Sequence, residues 1–262
     1  MAKIRLATTD LVDNSVAIVA TTEDTVYPIT NVKNIQLSNV WRSTDLTTQN
    51  IDIQVGTSGY DTIALLGTNL SNTATWQITA GATQGATTFD SGVLNFWPNS
   101  TILDNWNSKP GFYKFTTTQT HDWVRIQIID GSNLDGYIEV GKLIIDKAWT
   151  PTFNTPYNWS IEWVDPSLVN KSFGGRVFIT KREPYRILKF DLNWLSETEM
   201  FANAFELDRL KGRSKEVLVI RDIDDTLQRH NQYVYGLFQS LAPIINTNFN
   251  IFKKRYVVEE IL

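Results

Sequence analysis

The first 150 residues alternate apolar and polar side chains in short runs, and turn-forming residues separate each run from the next. The clearest runs are 51–55, 63–66, 75–79, 123–129 and 137–145. Alternation with a period of two predicts strands that bury one face, and the fully apolar run 63–66 predicts a core strand. No helical period is sustained in this half. Many short strands at this spacing predict a β-sandwich of the jelly-roll kind.

The chain changes character after residue 150. Proline at positions 151, 156 and 166 favours extended backbone in the residue before it, so we interpret 151–175 as a linker. The runs 176–180 and 185–192 then predict a β-hairpin. The sequence therefore predicts a jelly roll in 1–150, a linker in 151–175, and a smaller β-sheet domain in 176–262.

One helix is predicted in the second half. Ser196 and Glu199 form a capping-box pattern at its start, and Gly212 stands where a left-handed residue would close its end. The apolar residues of this segment are expected to fall mostly on one face: Met200, Phe201, Ala204, Phe205, Leu207 and Leu210. The fold class predicted for the whole chain is mostly β, with an N-terminal sandwich and a smaller β-rich α+β domain that carries one packed helix.

The residue types that perform most catalysis are scarce. The chain has no cysteine, which excludes thiolate zinc sites and cysteine nucleophiles, and its only histidines are His121 and His230. No Gly-x-Ser-x-Gly elbow or phosphate-binding loop is present. The acidic run 222–225 lacks the calcium-loop pattern, so we interpret it as a solvated turn. We therefore predict a non-enzymatic protein without metal or cofactor.

Two classes of partner are also disfavoured. The net charge of −4 gives no electrostatic reason to expect a nucleic acid. No stretch approaches the ~20 apolar residues that span a bilayer, and the first residues show no secretion signal. We therefore expect neither nucleic-acid binding nor a membrane span.

The nine tryptophans are the most suggestive residues for binding. Trp97 and Trp106 lie in a polar stretch with Asn99 and Asp104, and a ring beside amide and carboxylate groups is what a sugar site would use. These four residues form a candidate carbohydrate site; the alternative is that a long loop covers the barrel mouth with its own aromatics. Trp159 and Trp163 would share one face of a strand and form a candidate inter-domain or inter-subunit contact.

Segments of both halves match known patterns. In the N-terminal half these are Tyr-Pro-Ile-Thr-Asn at 27–31, Val-Trp-Arg-Ser at 40–43, Ile-Asp-Ile at 51–53, Ala-Leu-Leu-Gly-Thr-Asn at 64–69, Trp-Val-Arg-Ile at 123–126 and Ile-Glu-Val-Gly-Lys-Leu at 138–143. This set resembles discoidin-like, that is galactose-binding-like, jelly rolls.

The C-terminal half carries a second set of segments. They are Phe-Gly-Gly-Arg at 173–176, the segment 186–192, the helix to Gly212, Tyr235-Gly236 and Glu259-Glu260. That set is similar to minor tail structural proteins of long, non-contractile-tailed bacteriophages.

The resemblance implies a structural component of a bacteriophage tail tip or baseplate, made in the host cytoplasm and located in the virion tail. It would form a homo-oligomeric ring around the tail tube or hub. Its partners would be other tail proteins of the tube, the hub and the tape-measure region. The jelly roll would expose a carbohydrate-binding-like domain to host-surface glycans. The alternative is a host-surface carbohydrate-binding (adhesion) protein without a structural tail role. A third hypothesis, a polysaccharide-degrading enzyme, would need opposed carboxylates in a cleft.

Overall fold

The computed structural model describes residues 3–98, 109–157 and 159–262. The chain divides into two compact units. The first unit comprises Met1–Trp149 and Ile220–Tyr233, and the second comprises Thr150–Val219 and Val234–Leu262. No helix in the described part of the chain is long and apolar enough to cross a membrane.

The first unit is a β-sandwich. Its strands are β1 (Arg5–Ala7), β2 (Ala17–Ala20), β3 (Trp41–Arg42), β4 (Gln49–Gln54), β5 (Tyr60–Thr68), β6 (Thr75–Gly81), β7 (Phe89–Asn95), β8 (Lys109–Gln119), β9 (Trp123–Ile129), β10 (Glu139–Val140) and β11 (Lys142–Asp146). One sheet has five strands in the order β2-β4-β9-β6-β7, and the other has three in the order β11-β5-β8. Short 3-10 helices span Ile29–Lys33 and Arg229–Asn231.

The core of the sandwich follows from the period-two pattern. In the five-stranded sheet Ile51 pairs with Ile126, and Trp76 pairs with Ile128. In the three-stranded sheet Ile63 pairs with Ile145. Side chains of both sheets belong to one buried apolar cluster, because every second residue of each strand points between the layers.

The run 137–145 is two strands rather than one. Gly141 separates β10 from β11 and passes so close to the backbone that a Cβ there would lie 2.4 Å from the Leu37 carbonyl oxygen. Its amide donates to the Leu66 carbonyl at 3.0 Å. This close approach requires glycine, and it fixes where the small sheet of β3 and β10 gives way to the three-stranded sheet.

The second unit combines one sheet, a separate hairpin and one helix. Its strands are β12 (Ser160–Val164), β13 (Leu168–Lys171), β14 (Val177–Thr180), β15 (Tyr185–Leu195), β16 (Val217–Ile220), β17 (Tyr233–Phe238), β18 (Ile245–Asn248) and β19 (Ile251–Glu260). The sheet runs β16-β17-β19-β15-β12, with β18 also paired to β19. The fold-class prediction is confirmed: the chain is mostly β, with a sandwich followed by a smaller β-rich unit that carries one helix.

The helix, here called α1, has three consecutive stretches: α-helical Glu197–Glu199, π-helical Met200–Phe205 and α-helical Glu206–Lys211. The predicted capping box is present, since the Ser196 hydroxyl accepts from the Glu199 amide at 3.2 Å and the Glu199 carboxylate accepts from the Ser196 amide at 3.4 Å. Gly212 ends the helix at a φ of +53°, as predicted.

The predicted apolar face of α1 is only partly buried. Met200, Ala204 and Leu207 are buried, whereas Phe201, Phe205 and Leu210 are exposed. Successive helical residues lie about 100° apart, so a stripe at i, i+4, i+7 covers one face and its sequence neighbours point away from it. The six apolar residues therefore do not share one face: Met200, Ala204 and Leu207 form the buried stripe, and the two phenylalanines and Leu210 lie outside it.

The predicted pairing of 176–180 with 185–192 is also wrong. Strand β14 pairs with β13, and β15 pairs with β12 and β19. The cause is a tight turn in which the Gly175 amide donates to the Ser172 carbonyl at 3.0 Å and Gly175 takes a φ of +79°. Range 151–175, which we predict as a linker, thus contains β12 and β13. The predicted domain boundaries, 1–150, 151–175 and 176–262, stay a prediction.

Segment 220–233, which we predict in the C-terminal domain, lies in the first unit. The ring of Tyr233 packs edge-on against Phe112 with centroids 5.3 Å apart. The Arg229 guanidinium donates to the Phe96 carbonyl at 3.3 Å. These contacts show that the turn between β16 and β17 packs on strand β8 and on the residues after β7.

Candidate functional site

A polar depression of about 800 Å³ lies at one end of the sandwich. Strands β5 and β9 end there and strands β6 and β8 begin there, because Thr68 pairs with Lys109 and Thr75 pairs with Ile129. Its lining comes from the turn after β5, the turn after β9 and the first residue of β8. The antiparallel strand order therefore brings together turns that lie some 60 residues apart in the sequence.

Asp130 joins the two turns. Its buried carboxylate accepts hydrogen bonds from the Ser71 amide at 2.7 Å, from the Ser71 hydroxyl, and from the Asn133 side-chain amide at 3.2 Å. A buried carboxylate of this kind is stabilised by its donors and would be costly to leave without them. The depression is thus held in one shape before any ligand arrives.

Asn69 extends this bracing. Its side-chain nitrogen donates to an Asp135 oxygen at 2.9 Å and to the Tyr137 carbonyl at 3.0 Å, and its side-chain oxygen accepts from the Glu139 amide at 2.8 Å. The Asn133 side chain donates to the Asn69 carbonyl at 3.1 Å. Every hydrogen-bonding group of the Asn69 side chain is used in positioning the rim, so its role is structural.

Lys109 supplies the positive charge of the depression. Its ammonium donates to the Leu70 carbonyl at 2.5 Å. Partial burial lowers the pKa of Lys109, and the nearby Asp130 carboxylate opposes that shift. The ammonium has three donors and uses one of them on Leu70, which leaves donor capacity at the mouth of the depression.

The exposed part of the rim carries small polar groups around one apolar residue. Asn72, Thr73, Ser132 and Asp135 are exposed, and Leu134 protrudes fully into solvent. Amide and hydroxyl groups can donate to and accept from the hydroxyls of a polyol, and a carboxylate can accept from them, while an aliphatic side chain can contact the C–H face of the polyol. The chemistry available here is recognition of a neutral or amino-bearing polar ligand.

The predicted sugar residues are placed differently. Trp97 follows β7 and is only 5% exposed, with its ring centroid 6.2 Å from that of His230. A tryptophan buried to this degree has the environment of a core residue and offers no open ring face. Asn99, Asp104 and Trp106 lie outside the described residues, so the four-residue site stays a prediction.

Arg229, which precedes His230 in the sequence, is also buried. Burial lowers the pKa of Arg229 to about 10, and its guanidinium donates to the Phe96 carbonyl. The His230 imidazole thus lies near the Trp97 indole, and the neighbouring Arg229 guanidinium bonds to the carbonyl of the residue before Trp97.

The predicted interface residues lie in the second unit. Trp163 is on β12 and is 58% exposed, and its cross-strand partner Arg186 places its guanidinium carbon 5.8 Å from the ring centroid. Trp159 is half-buried and immediately precedes β12. Arg186 itself is buried and bonds to Glu260 through its backbone amide and its guanidinium. The interface role of the two tryptophans stays a prediction.

The acidic run 222–225 forms a hydrogen-bonded turn. The Asp222 carboxylate accepts from the Asp224 amide at 3.1 Å, and the Asp225 carboxylate accepts from the Leu227 amide at 2.9 Å and the Gln228 amide at 3.0 Å. Among residues 3–98, 109–157 and 159–262, no three His, Asp or Glu side chains come together as metal ligands could.

From the sequence, the residues of the polar depression are predicted only to form turns. Their signal is weak: asparagine, serine, threonine and aspartate at 69–73 and 130–135, which is also the ordinary composition of a turn. What distinguishes these turns from the others is that the strand order places them at the same end of the sandwich, and the sequence does not state that order.

Comparison with known proteins found distant structural similarity only. No protein-family model matches the sequence, and no curated protein matches it. A chitosan-binding module of a chitosanase/glucanase from Paenibacillus sp. IK-5 is 13% identical, with a TM-score of 0.38 over 52% of this chain and 98% of the module. A Streptococcus pneumoniae fucose-binding module is 11% identical, with a TM-score of 0.37 over 52% of this chain and 96% of the module.

A further similar structure is the lectin domain of lectinolysin complexed with Lewis B antigen. It is 9% identical, with a TM-score of 0.38 over 54% of this chain and 98% of that domain. Identities and TM-scores at this level assign neither a family nor a ligand to the chain. The β-sandwich of the first unit is established by its own strand pairing and core.

Proposed function

We propose that this chain is a non-catalytic carbohydrate-binding protein and that its first unit holds a saccharide in the polar depression. The observation that carries the proposal is the pre-formed depression itself, where Asp130 and Asn69 brace two turns and leave small polar groups exposed around Leu134. A site that is ordered before binding loses little conformational entropy when the ligand arrives.

The residues divide into two roles. Asp130, Asn69 and Asn133 hold the shape of the depression through hydrogen bonds to one another and to the backbone. Lys109 and the exposed rim hydroxyls are available to sugar hydroxyls, and so is the second carboxylate oxygen of Asp135, whose other oxygen accepts from Asn69. Leu134 would contact the apolar face of the sugar ring. The modest apolar surface predicts weak binding to one sugar unit.

The test measures binding of a panel of neutral, amino-bearing and fucosylated oligosaccharides by titration calorimetry and by glycan array. We expect Asp135→Ala and Leu134→Ser to reduce affinity at least tenfold, since they remove a polar contact and the apolar contact. Neither substitution removes a buried group, so folding should be unchanged by circular dichroism.

The matched control lies at the opposite end of the sandwich. Thr57→Ala and Ser58→Ala alter an exposed turn just before β5, and they should leave binding unchanged. Equal loss of binding in the control variants, or wild-type affinity in Asp135→Ala and Leu134→Ser, would place the site elsewhere. If affinity instead falls in Trp106→Ala, the site predicted from Trp97, Asn99, Asp104 and Trp106 is favoured.

A second candidate function is the structural tail component that the sequence resemblance implies. One observation favours it: the hairpin of β13 and β14 exposes several large apolar side chains, which is expected of a chain that is covered in an assembly. The two functions are compatible.

The structural tail role can be tested by mass spectrometry of purified phage particles whose genome encodes this chain. The chain should be found in the tail fraction, and its absence from intact particles would refute the structural role and the virion location.

A further inference from the structure

The hairpin of β13 and β14 forms a two-stranded sheet of its own. Leu168 pairs with Thr180 and Lys171 pairs with Val177, and within the described chain these strands pair only with each other. Every position of both strands is exposed. Residues 168–180 are here called the arm. An isolated two-stranded hairpin is at best marginally stable in water, so the arm needs a further surface to be fully ordered.

The arm is apolar on both faces. Val169 and Ile179 lie opposite each other on one face, and Phe178 lies on the other. The apolar strand residues of the arm are between 48% and 66% exposed, and Phe173 in its turn is fully exposed. Soluble monomers rarely leave such a contiguous apolar surface open, and it marks a site of protein contact.

The same unit also carries an apolar groove of about 460 Å³. It is lined mainly by Met200, Phe201 and Phe205 of α1, by Leu241 and by Phe252 of β19. Phe201 and Phe205 are each about half exposed and pack edge-on, with ring centroids 6.4 Å apart. Both belong to the π-helical stretch, a distortion that is frequent at functional sites.

The arm and the helix that borders the groove carry opposite charge. The arm contains Lys171 and Arg176 and no acidic residue. Helix α1 contains a net negative set of charged residues: Glu197, Glu199, Glu206 and Asp208 against Arg209 and Lys211. Of these acidic residues Asp208 lines the groove, where it also bonds to Lys254, and its charge is opposite to that of the arm. Charge of opposite sign on two surfaces favours their encounter and their correct alignment.

We infer that the arm of one copy docks in the groove of a second copy, so that this chain associates head to tail. Each copy offers one arm and one groove, and a contact between different surfaces repeats from copy to copy until it closes into a ring or continues as a filament. The inference does not depend on sugar binding, because arm and groove both lie in the second unit.

The size of the contact predicts its strength. The arm has 13 residues and the groove is lined by 10, fewer than the about 20–30 residues a side of a standard stable interface. A single contact should therefore be weak. In a closed ring each copy makes two contacts, so association is expected to rise steeply with concentration.

The test is sedimentation velocity of the full chain from about 1 to about 100 μM, a range that covers weak protein contacts. The wild-type protein should pass from monomer to larger species. Ile179→Glu in the arm and Phe205→Glu in the groove should each remain monomeric throughout. Both residues are exposed, so circular dichroism and thermal unfolding should match wild type. Val93→Glu, at an exposed apolar position of the sandwich, is the control and should associate normally.

Mixing the two variants separates this contact from a symmetric one. Ile179→Glu keeps its groove and Phe205→Glu keeps its arm, so an equimolar mixture should form a one-to-one complex that grows no further. A mixture that stays monomeric while the wild type associates would show that arm pairs with arm and would overturn the inference. A wild type that stays monomeric at the highest concentration would overturn it too, and would mean that a different protein covers the arm.

Discussion

The sandwich and the arm use similar residues and place them differently. Strands β6 and β9 alternate buried and less buried positions, and the inward-facing isoleucines and valines of β4, β6 and β9 fill a core between two sheets. Strands β13 and β14 contain the same residue types, yet every position is exposed. A strand-forming sequence therefore specifies local backbone, whereas burial depends on whether another layer is present to cover it.

The difference predicts two kinds of mutational response. In the sandwich a substitution should act on the free energy of unfolding, because neighbouring side chains surround each residue at close to crystal density. In the arm and the neighbouring edge strand β12 it should act on association and leave unfolding nearly unchanged. Because the chain has two units, the unfolding transition of each must be resolved to measure such effects.

The largest difference in the free energy of unfolding is expected between substitutions of a buried and of an exposed tryptophan. Trp41 is fully buried in the sandwich and its indole donates to the Thr22 carbonyl at 3.1 Å, whereas Trp163 on β12 is mostly exposed. Trp41→Ala should lower the free energy of unfolding of the first unit by about 3–5 kcal/mol. Trp163→Ala should change that of the second unit by less than about 1 kcal/mol. Denaturant unfolding followed by circular dichroism measures both, and equal losses would contradict the division.

The next largest difference in the free energy of unfolding is expected between alanine substitutions of a glycine in a paired strand and of a glycine in the turn of the arm. Gly236 of β17 lies so close to β19 that an added Cβ would stand 1.9 Å from the Glu259 carbonyl oxygen, while nothing lies within 4 Å of one added at Gly174. Gly236→Ala must push the strands apart and should cost about 2–3 kcal/mol. Gly174→Ala should stay within about 0.5 kcal/mol of wild type. A tolerated alanine at 236 would refute the close approach.

The fold was largely predictable from the sequence because its signals are local. Alternation and one apolar run located β4, β5, β6, β9, β10 and β11, and Ser196 with Glu199 located the start of α1, whereas β2, β7 and β8 were not among the predicted strands. The pairing of β14 with β13 was not predictable in this way, since the competing strand β15 has an equally apolar pattern and the Gly174–Gly175 turn decides between them. The exposure of Phe201 and Phe205 was not predictable either, because periodicity indicates the direction of a side chain around the helix axis but not whether another element covers that side of the helix.

The candidate site was less predictable than the fold. Asn69 and Asp135 meet only because β5 and β9 end on the same side of the sandwich, and that arrangement depends on strand order over the whole unit. Trp97 looked like a binding residue from its polar sequence neighbours, but the burial of its ring depends on His230, more than a hundred residues away. A binding site whose residues come from turns far apart in the sequence has no recognisable pattern within any short segment.

A third prediction concerns charge inside the sandwich. Burial raises the pKa of Asp10 to about 7; the Lys142 ammonium, 3.3 Å away, opposes the shift, and the negative charge of Asp13 adds to it. The folded state therefore holds a proton on Asp10 that the unfolded chain, with a carboxyl pKa of 3.8, releases. Stability from this group is present at low pH and is lost as the pH rises from 3.8 to about 7, with a slope of at most about 1.4 kcal/mol per pH unit.

Asp10→Asn removes the titrating group and should flatten that part of the stability curve. The amide can keep accepting from the Val12 amide, which bonds to Asp10 at 2.9 Å. Asp90→Asn is the control: Asp90 is exposed and its pKa is lowered by hydrogen bonds from Gln77 and Gly92, so this variant should leave the slope between pH 4 and 7 unchanged. An unaltered slope in Asp10→Asn would assign the pH dependence to other carboxylates.

The smallest energetic effect is expected in the arm, and it is best seen by hydrogen exchange. In dilute solution the amides of β13 and β14 should exchange far faster than those of β4 and β9, because a hairpin with neither face covered opens without unfolding the rest of the unit. The strand amides of the sandwich should exchange only through global opening. Slow exchange in the dilute arm would mean that its own chain already covers it.

Raising the protein concentration then separates the two explanations for an exposed apolar hairpin. If a second copy covers the arm, protection of β13 and β14 must grow with concentration, because binding stabilises the ordered form by mass action. The same protection must be missing in Phe205→Glu, whose arm is intact but whose groove is blocked. If the arm is merely frayed, its exchange depends on neither concentration nor Phe205. The comparison between sandwich and arm is thus a comparison between a core completed within one chain and a surface that requires another.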